Sequence, residues 1–136
     1  MDTEEALAAD AELLRILSEI RLVKHEWEIA QMRLAVEATA RGFADIVRAL
    51  PGAVASVRGE RVVETTFESR ARREGNGVGY DTIAASGPHA CTLHWIRNDG
   101  EVSEGDLVLV DAGIEIDTLY TADVTRTLPV SGTFSE

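Results

Sequence analysis

A chain of 136 residues with 45% hydrophobic and 27% charged side chains has the composition of one ordinary globular domain, which excludes a disordered tail, a collagen-like repeat and a disulfide scaffold. Thirteen Lys and Arg stand against 24 Asp and Glu, a net charge of −11, so the chain lacks the basic face that nucleic acid requires and none is expected as a partner. The lone Cys91 allows no internal disulfide and points to a reducing, cytoplasmic setting. No stretch approaches the roughly 20 apolar residues of a membrane span, so no membrane partner is expected either. The acidic start (Asp2, Glu4, Glu5) is unlike a signal peptide.

In chain order, Asp2 or Thr3 can cap a first helix, with Glu5 in the reciprocal position three residues after Asp2. Leu7, Leu13, Leu14, Leu17 and Ile20 follow at roughly helical spacing. A second helix is predicted from about Glu26 to Leu50, with Pro51-Gly52 as its stop. Its Ile29, Met32, Val36, Phe43, Val47 and Leu50 fall on one stripe, the face expected to lie on a sheet, while Arg33, Glu37, Arg41 and Arg48 face solvent. A third helix, from about Glu60 to Glu74, repeats Val63, Phe67 and Ala71 every fourth residue, and Gly75 is placed to end it in the left-handed conformation.

Beyond Gly75 the pattern changes to that of strands. Residues 77–83 and Cys91-Thr-Leu-His-Trp95 carry β-branched and aromatic side chains, and Asn98-Asp99-Gly100 signals a turn. Leu107-Val-Leu-Val110 is an unbroken apolar run suited to a strand buried on both faces. Residues 114–116 continue it, and 119–128 read as its return partner. Helices first and strands afterwards imply an α+β fold, with long helices on one face of an antiparallel sheet.

Asp111 directly follows the apolar run, where an ionised carboxylate is expensive unless paired, hydrogen-bonded or bound to a metal. As the end of a strand it could simply cap a turn at Ala112-Gly113. A hairpin whose loop centres on Asp117 instead makes Asp111 and Asp123 direct cross-strand partners, with Cβ atoms about 5 Å apart. Two like charges so placed share a proton or hold a cation between them. Oxygen ligands favour Mn²⁺, Mg²⁺, Ca²⁺ or Zn²⁺ over a soft metal. A slip of one residue would send the carboxylates to opposite faces.

Among the histidines, His25 and His89 are expected at the surface. His94, between Leu93 and Trp95 in a predicted strand, is either a satisfied core histidine or an active-site group. Arg126, between Thr125 and Thr127, is either a structural ion-pair partner or a support for a carboxylate ligand. There is no G-x-S-x-G elbow, phosphate-binding G-x-x-x-x-G-K or C-x-x-C pair.

Four stretches in order then carry a resemblance: Tyr80-Asp-Thr-Ile-Ala-Ala-Ser-Gly87, Thr92-Leu-His-Trp95, Gly105-Asp-Leu-Val-Leu-Val-Asp-Ala-Gly113 and Tyr120-Thr-Ala-Asp-Val-Thr-Arg-Thr-Leu-Pro-Val-Ser-Gly132. Together they closely resemble the Xaa-Pro aminopeptidases, the aminopeptidase P and prolidase group of metallopeptidases with the pita-bread fold. Arg21-Leu-Val-Lys-His-Glu-Trp-Glu-Ile29 also looks like the family's entry into its first catalytic-domain helix. The resemblance implies a dinuclear site, usually manganese (Mn²⁺), held by two Asp, one His and two Glu. Asp111 would be the first Asp ligand and Asp123 the second, bridging both metals. His94 would contact substrate and stabilise the tetrahedral intermediate as a catalytic residue. The implied substrate is a peptide with an Xaa-Pro N-terminus, and the implied full-length enzyme is a homo-oligomer.

The family's other ligands match no residue here. Residues 21–136 therefore read as the first half of a pita-bread catalytic domain, and 1–20 as a linker helix. Asp111 and Asp123 also lie one residue further apart than the resemblance leads one to expect, an insertion assigned to the turn near Asp117. On this reading the isolated chain is inactive. Prolidase, creatinase, methionine aminopeptidase and a non-enzymatic pita-bread interaction module are the rival readings.

Overall fold

The computed structural model describes residues 3–135, so Asp2 and its proposed capping role lie outside the described residues. The chain divides into two compact units, 1–30 and 31–136. In the first, α1 (Thr3–Leu22) buries none of its residues; Leu14 is 70% exposed. No helix is long and apolar enough to cross a membrane among the described residues.

The second unit is built on α2 (Glu26–Val54), which begins at the end of the first, and on α3 (Gly59–Glu74). The buried stripe of α2 is Ala35, Ala38, Thr39, Gly42, Ile46, Leu50 and Ala53, and this corrects the sequence expectation. Val36 and Val47 are 49% and 52% exposed, Ile29 and Met32 are exposed too, and only Leu50 and the half-buried Phe43 of the predicted face turn inward. The cause is close approach. A Cβ on Gly42 would stand 2.5 Å from the Phe67 ring, so the stripe must carry glycine where it meets that ring and takes larger residues, Ile46 and Leu50, further along. Thr39 Oγ1 also accepts the buried Ile114 N–H at 3.0 Å. Pro51 does not stop α2. It falls in the last turn, where it removes one backbone donor and the helix still reaches Val54.

On α3, Val63, Phe67 and Ala71 are wholly buried, as their spacing predicts. Two acidic residues, Glu60 and Glu64, share that inward face. Gly75 ends the helix extended rather than left-handed (φ −165°), because the chain runs straight into a bridge in which the Asn76 N–H donates to the Glu115 carbonyl at 2.9 Å.

Five strands follow: β1 (Gly77–Val78), β2 (Ile83–Ser86), β3 (Leu107–Ala112), β4 (Ile114–Glu115) and β5 (Val124–Pro129). All pairings are antiparallel, in a two-stranded β1–β4 sheet and a three-stranded sheet ordered β2–β3–β5. The α+β expectation therefore holds, with α3 lying against β1, β2 and β4. The buried core gathers Ile46, Val63, Phe67, Val108, Val110 and Ile114.

Residues 91–95 are not a strand. Gly87–Cys91 forms a 3₁₀ helix entered through Gly87-Pro88, and the chain to Gly100 is irregular. Its polar groups are taken up by buried side chains of α3, so no ladder competes for them.

Candidate active site

Asp111 lies in β3, the central strand, between Ile83 of β2 and Thr125 of β5. The register is uniform from Leu107↔Pro129 to Ala112↔Val124, and the bonds beyond it (Ile116 N–H to the Tyr120 carbonyl, 3.0 Å) keep the same centre, at Thr118. The hairpin thus turns one residue later than the expected Asp117, with Leu119 in the left-handed region (φ 68°). Moving the centre by one residue moves every partner by two. Asp123 therefore sits diagonal to Asp111 instead of opposite it. A shift of two preserves the face, so Asp123, Thr125 and Asp111 all project the same way. No bulge interrupts the pairing of β3 with β5.

The geometry of the pair is fixed by Tyr80. Its hydroxyl donates to Asp111 Oδ1 at 2.7 Å and lies 3.1 Å from Asp123 Oδ1. Thr125 Oγ1 donates to the other Asp111 oxygen, Oδ2, at 2.9 Å. Burial, reinforced by the two carboxylates, pushes the Tyr80 hydroxyl well above the usual phenol pKa, so it remains a proton donor. A phenol has a single proton, and two carboxylates converge on it. The shorter bond takes that proton, which leaves Asp123 Oδ1 facing an oxygen with no hydrogen between them. A divalent cation on the free carboxylate lone pairs removes that conflict, and hard oxygen donors suit one. Among the described residues no third His, Cys, Asp or Glu joins them in a metal-binding cluster. The pair fits part of a metal site.

Gly113 explains the tightness of this corner. A Cβ there would stand 1.6 Å from the Ala122 carbonyl oxygen, so only glycine lets the two strands meet just beyond Asp111.

Other predicted positions fall differently. His94 is exposed, outside any strand, with φ 51°, which removes the core-histidine alternative. His89 is not the free surface histidine expected. It is half-buried, lies 2.8 Å from Glu60 Oε1 and stacks on Trp95 at 3.9 Å between ring centroids. His25 is exposed, as expected. Arg126 donates to the Thr125 carbonyl at 2.7 Å and not to a carboxylate, because alternation turns it away from the Asp111 face. Sequence reasoning did not single out Tyr80 or Thr125. Both stand in the motifs already quoted, and parity of Thr125 with Asp123 was a usable signal.

The model of metallopeptidase family M24 matches residues 30–136. The chain belongs to metallopeptidase family M24. Xaa-Pro aminopeptidase 1 of Streptomyces coelicolor is 61% identical over 127 residues, which are 93% of this chain and 26% of that protein. The low-pH form of Escherichia coli aminopeptidase P superposes with a TM-score of 0.79 at 36% identity, covering 89% of this chain and 27% of that one. A zinc-substituted form of the same enzyme in complex with product gives 0.75 at 35% identity, covering 86% and 26%. The fold is therefore that of the aminopeptidase P, pita-bread structures, and the M24 chain spans about a quarter of the length of the relatives it matches.

Proposed function

We propose that this M24 chain is the part of an Xaa-Pro aminopeptidase that supplies Asp111 and Asp123 as metal ligands and His94 as a catalytic residue, within residues 21–136 as the first half of the catalytic domain. The observation that carries this reading is the convergence of the two carboxylates on the single Tyr80 hydroxyl. The naming of the 61% identical Streptomyces relative supports the substrate class. Mn²⁺ is the proposed metal, and the cytoplasm the proposed compartment, in keeping with a Cys91 that forms no disulfide.

A bound pair of divalent ions supplies Lewis-acid polarisation and an activated water. The chain's own groups do the rest. Thr125 and Tyr80 hold Asp111 by both oxygens, fixing the direction in which its remaining lone pairs point. The imidazole of His94, free to reach solvent, donates a hydrogen bond to the carbonyl oxygen of the residue before proline as negative charge gathers there.

The test is release of the N-terminal residue from an Xaa-Pro-Xaa peptide by the complete protein, titrated with Mn²⁺, Zn²⁺ and Mg²⁺. Metal-dependent release is expected, absent in Asp123→Ala. Residues 1–136 assayed alone are expected to show none, since two carboxylates do not complete a dinuclear site. Cleavage restricted to Xaa-Pro dipeptides would move the enzyme to the prolidase class. No metal-dependent cleavage of either substrate would sink the proposal.

A further inference from the structure

Glu60, the second residue of α3, is wholly buried (0% exposed). Its Oε1 accepts the Ser86 N–H at 2.8 Å and lies 2.8 Å from His89 Nδ1. Its Oε2 accepts the Trp95 indole N–H at 2.9 Å and the Gly100 N–H at 2.7 Å. Four partners fill the roughly four lone-pair sites of one carboxylate. None of them belongs to α3. They come from the end of β2, the 3₁₀ helix and the irregular stretch beyond it, on both sides of His94. An acidic residue at a helix start ordinarily faces water or accepts from the free N–H groups of its own first turn; Glu60 does neither.

His94 itself sits in the left-handed region, φ 51°, beside a tight turn in which the Ile96 N–H donates to the His94 carbonyl at 2.9 Å. A histidine keeps that conformation only where the surrounding chain over-determines it. The neighbouring Trp95 provides the constraint, bonded to Glu60 and stacked on His89 with the rings 24° apart.

We infer that Glu60 is a positioning residue for His94: it clamps the 86–100 segment from beneath and holds the imidazole where the peptidase reaction needs it, an inference that rests on the function proposed above. The choice of a carboxylate is chemically specific. In Glu60→Gln the amide nitrogen would replace one oxygen. Placed at Oε2 it would meet two obligate donors, the Trp95 indole and the Gly100 N–H. Placed at Oε1 it would meet the Ser86 N–H and His89, and only the imidazole can turn acceptor. The shape survives and the acceptors do not.

The experiment compares the complete wild-type protein with E60Q, E60D and W95F, each checked for folding by circular dichroism. Steady-state kinetics on an Xaa-Pro peptide and the Trp95 indole N–H resonance, assigned by its loss in W95F, are the readouts. Folded E60Q is expected to lose about 10- to 100-fold in kcat, less than outright removal of an oxyanion donor costs, with KM little changed. Its indole N–H resonance should move toward that of a free indole. E60D, which keeps four acceptor sites on a shorter arm, should recover part of the loss, and W95F should lower kcat by less than E60Q. A folded E60Q with wild-type kcat overturns the inference. If E60Q does not fold, W95F decides, and wild-type kcat there overturns it equally. An inactive wild type sinks the peptidase reading and this role with it, whereas a failure confined to the variants sinks only the role of Glu60.

Discussion

Between Leu107 and Pro129 the partner of each strand residue is set by backbone hydrogen bonds, whereas the segment from Gly87 to Gly100 is tied by two buried side chains, Glu60 and Asn98. Asn98 is wholly buried with φ 45°. Its Oδ1 accepts the Ala84 N–H at 2.9 Å, and its amide donates to Glu64 Oε1 and the Thr82 carbonyl at 2.9 and 2.8 Å. The hairpin corner at Gly113 has no room for a Cβ, whereas the loop depends on the acceptor oxygens of Glu60 and Asn98. On the proposed function, a ladder-built region carrying Asp111 and Asp123 would work with a side-chain-built region carrying His94.

The largest effect should come from Asp123→Ala in the complete protein. If Asp123 is the metal ligand proposed, its loss forfeits several kcal/mol of transition-state stabilisation, about 10³-fold in kcat/KM, read by peptide hydrolysis at saturating Mn²⁺. Gly113→Ala tests the hairpin by volume. A Cβ driven to within 1.6 Å of the Ala122 oxygen should destabilise by on the order of 3 kcal/mol, measured by urea unfolding. Asn98→Ala tests the loop by lost acceptors. It leaves the Ala84 N–H unpaired in a buried strand, and a loss of about 2–3 kcal/mol is expected. If Asn98→Ala proved neutral and Gly113→Ala severe, the contrast between the two regions would fail on the loop side.

Tyr80→Phe should leave the fold intact and weaken Mn²⁺ affinity about 10- to 100-fold, the usual consequence of removing a group that orients a ligand; calorimetric titration reads it. The smallest effect is a control outside both regions. Arg70 donates to Asp45 at 2.6 Å and to Glu74 at 2.8 Å. Arg70 holds the Asp45 carboxyl below its ordinary value, and Arg41 with Arg70 does the same for Glu74. The folded state then binds fewer protons than the unfolded one, so this stabilisation is present above the ordinary values of 3.8 and 4.5 and is lost as pH falls through the lowered ones. Arg70→Ala should therefore be less stable than wild type at pH 7, and the gap should close in acid. Denaturant midpoints across that range check the sign.

Much of this was legible in the sequence. The three helices and the shared face of Asp111 and Asp123 follow from periodicity, because a whole-residue shift of the turn centre keeps parity. The run before Asp111, expected to be buried on both faces, is buried on one, with Val108 and Val110 inside, Leu107 exposed and Leu109 half-buried. The diagonal placement did not follow, since it depends on where the hairpin bends and Leu119 takes a left-handed conformation there. The inward face of α2 misled because hydrophobicity scales rank Val36 and Val47 above Ala38 and Gly42, although the buried stripe runs through the smaller pair and the Phe67 ring leaves no room for a side chain at Gly42. Glu60 was illegible. An acidic residue at a helix start has an ordinary explanation in the helix dipole, and nothing local reveals that four donors from a distant segment will close over it. For His94, the neighbours Leu93 and Trp95 left a core and an active-site reading open, and its exposure removes the first.

The small inward face of α2 also sets what this helix can become. Random substitution through Ala35, Ala38, Thr39 and Gly42 should return a narrow alphabet, with Thr39 further restricted to side chains that keep an acceptor for the Ile114 N–H. Attempts to stabilise the chain by enlarging its core would find no room along this seam. Gains would have to come from the exposed positions of the same helix, so the helix is most heavily constrained where its residues have the least to show.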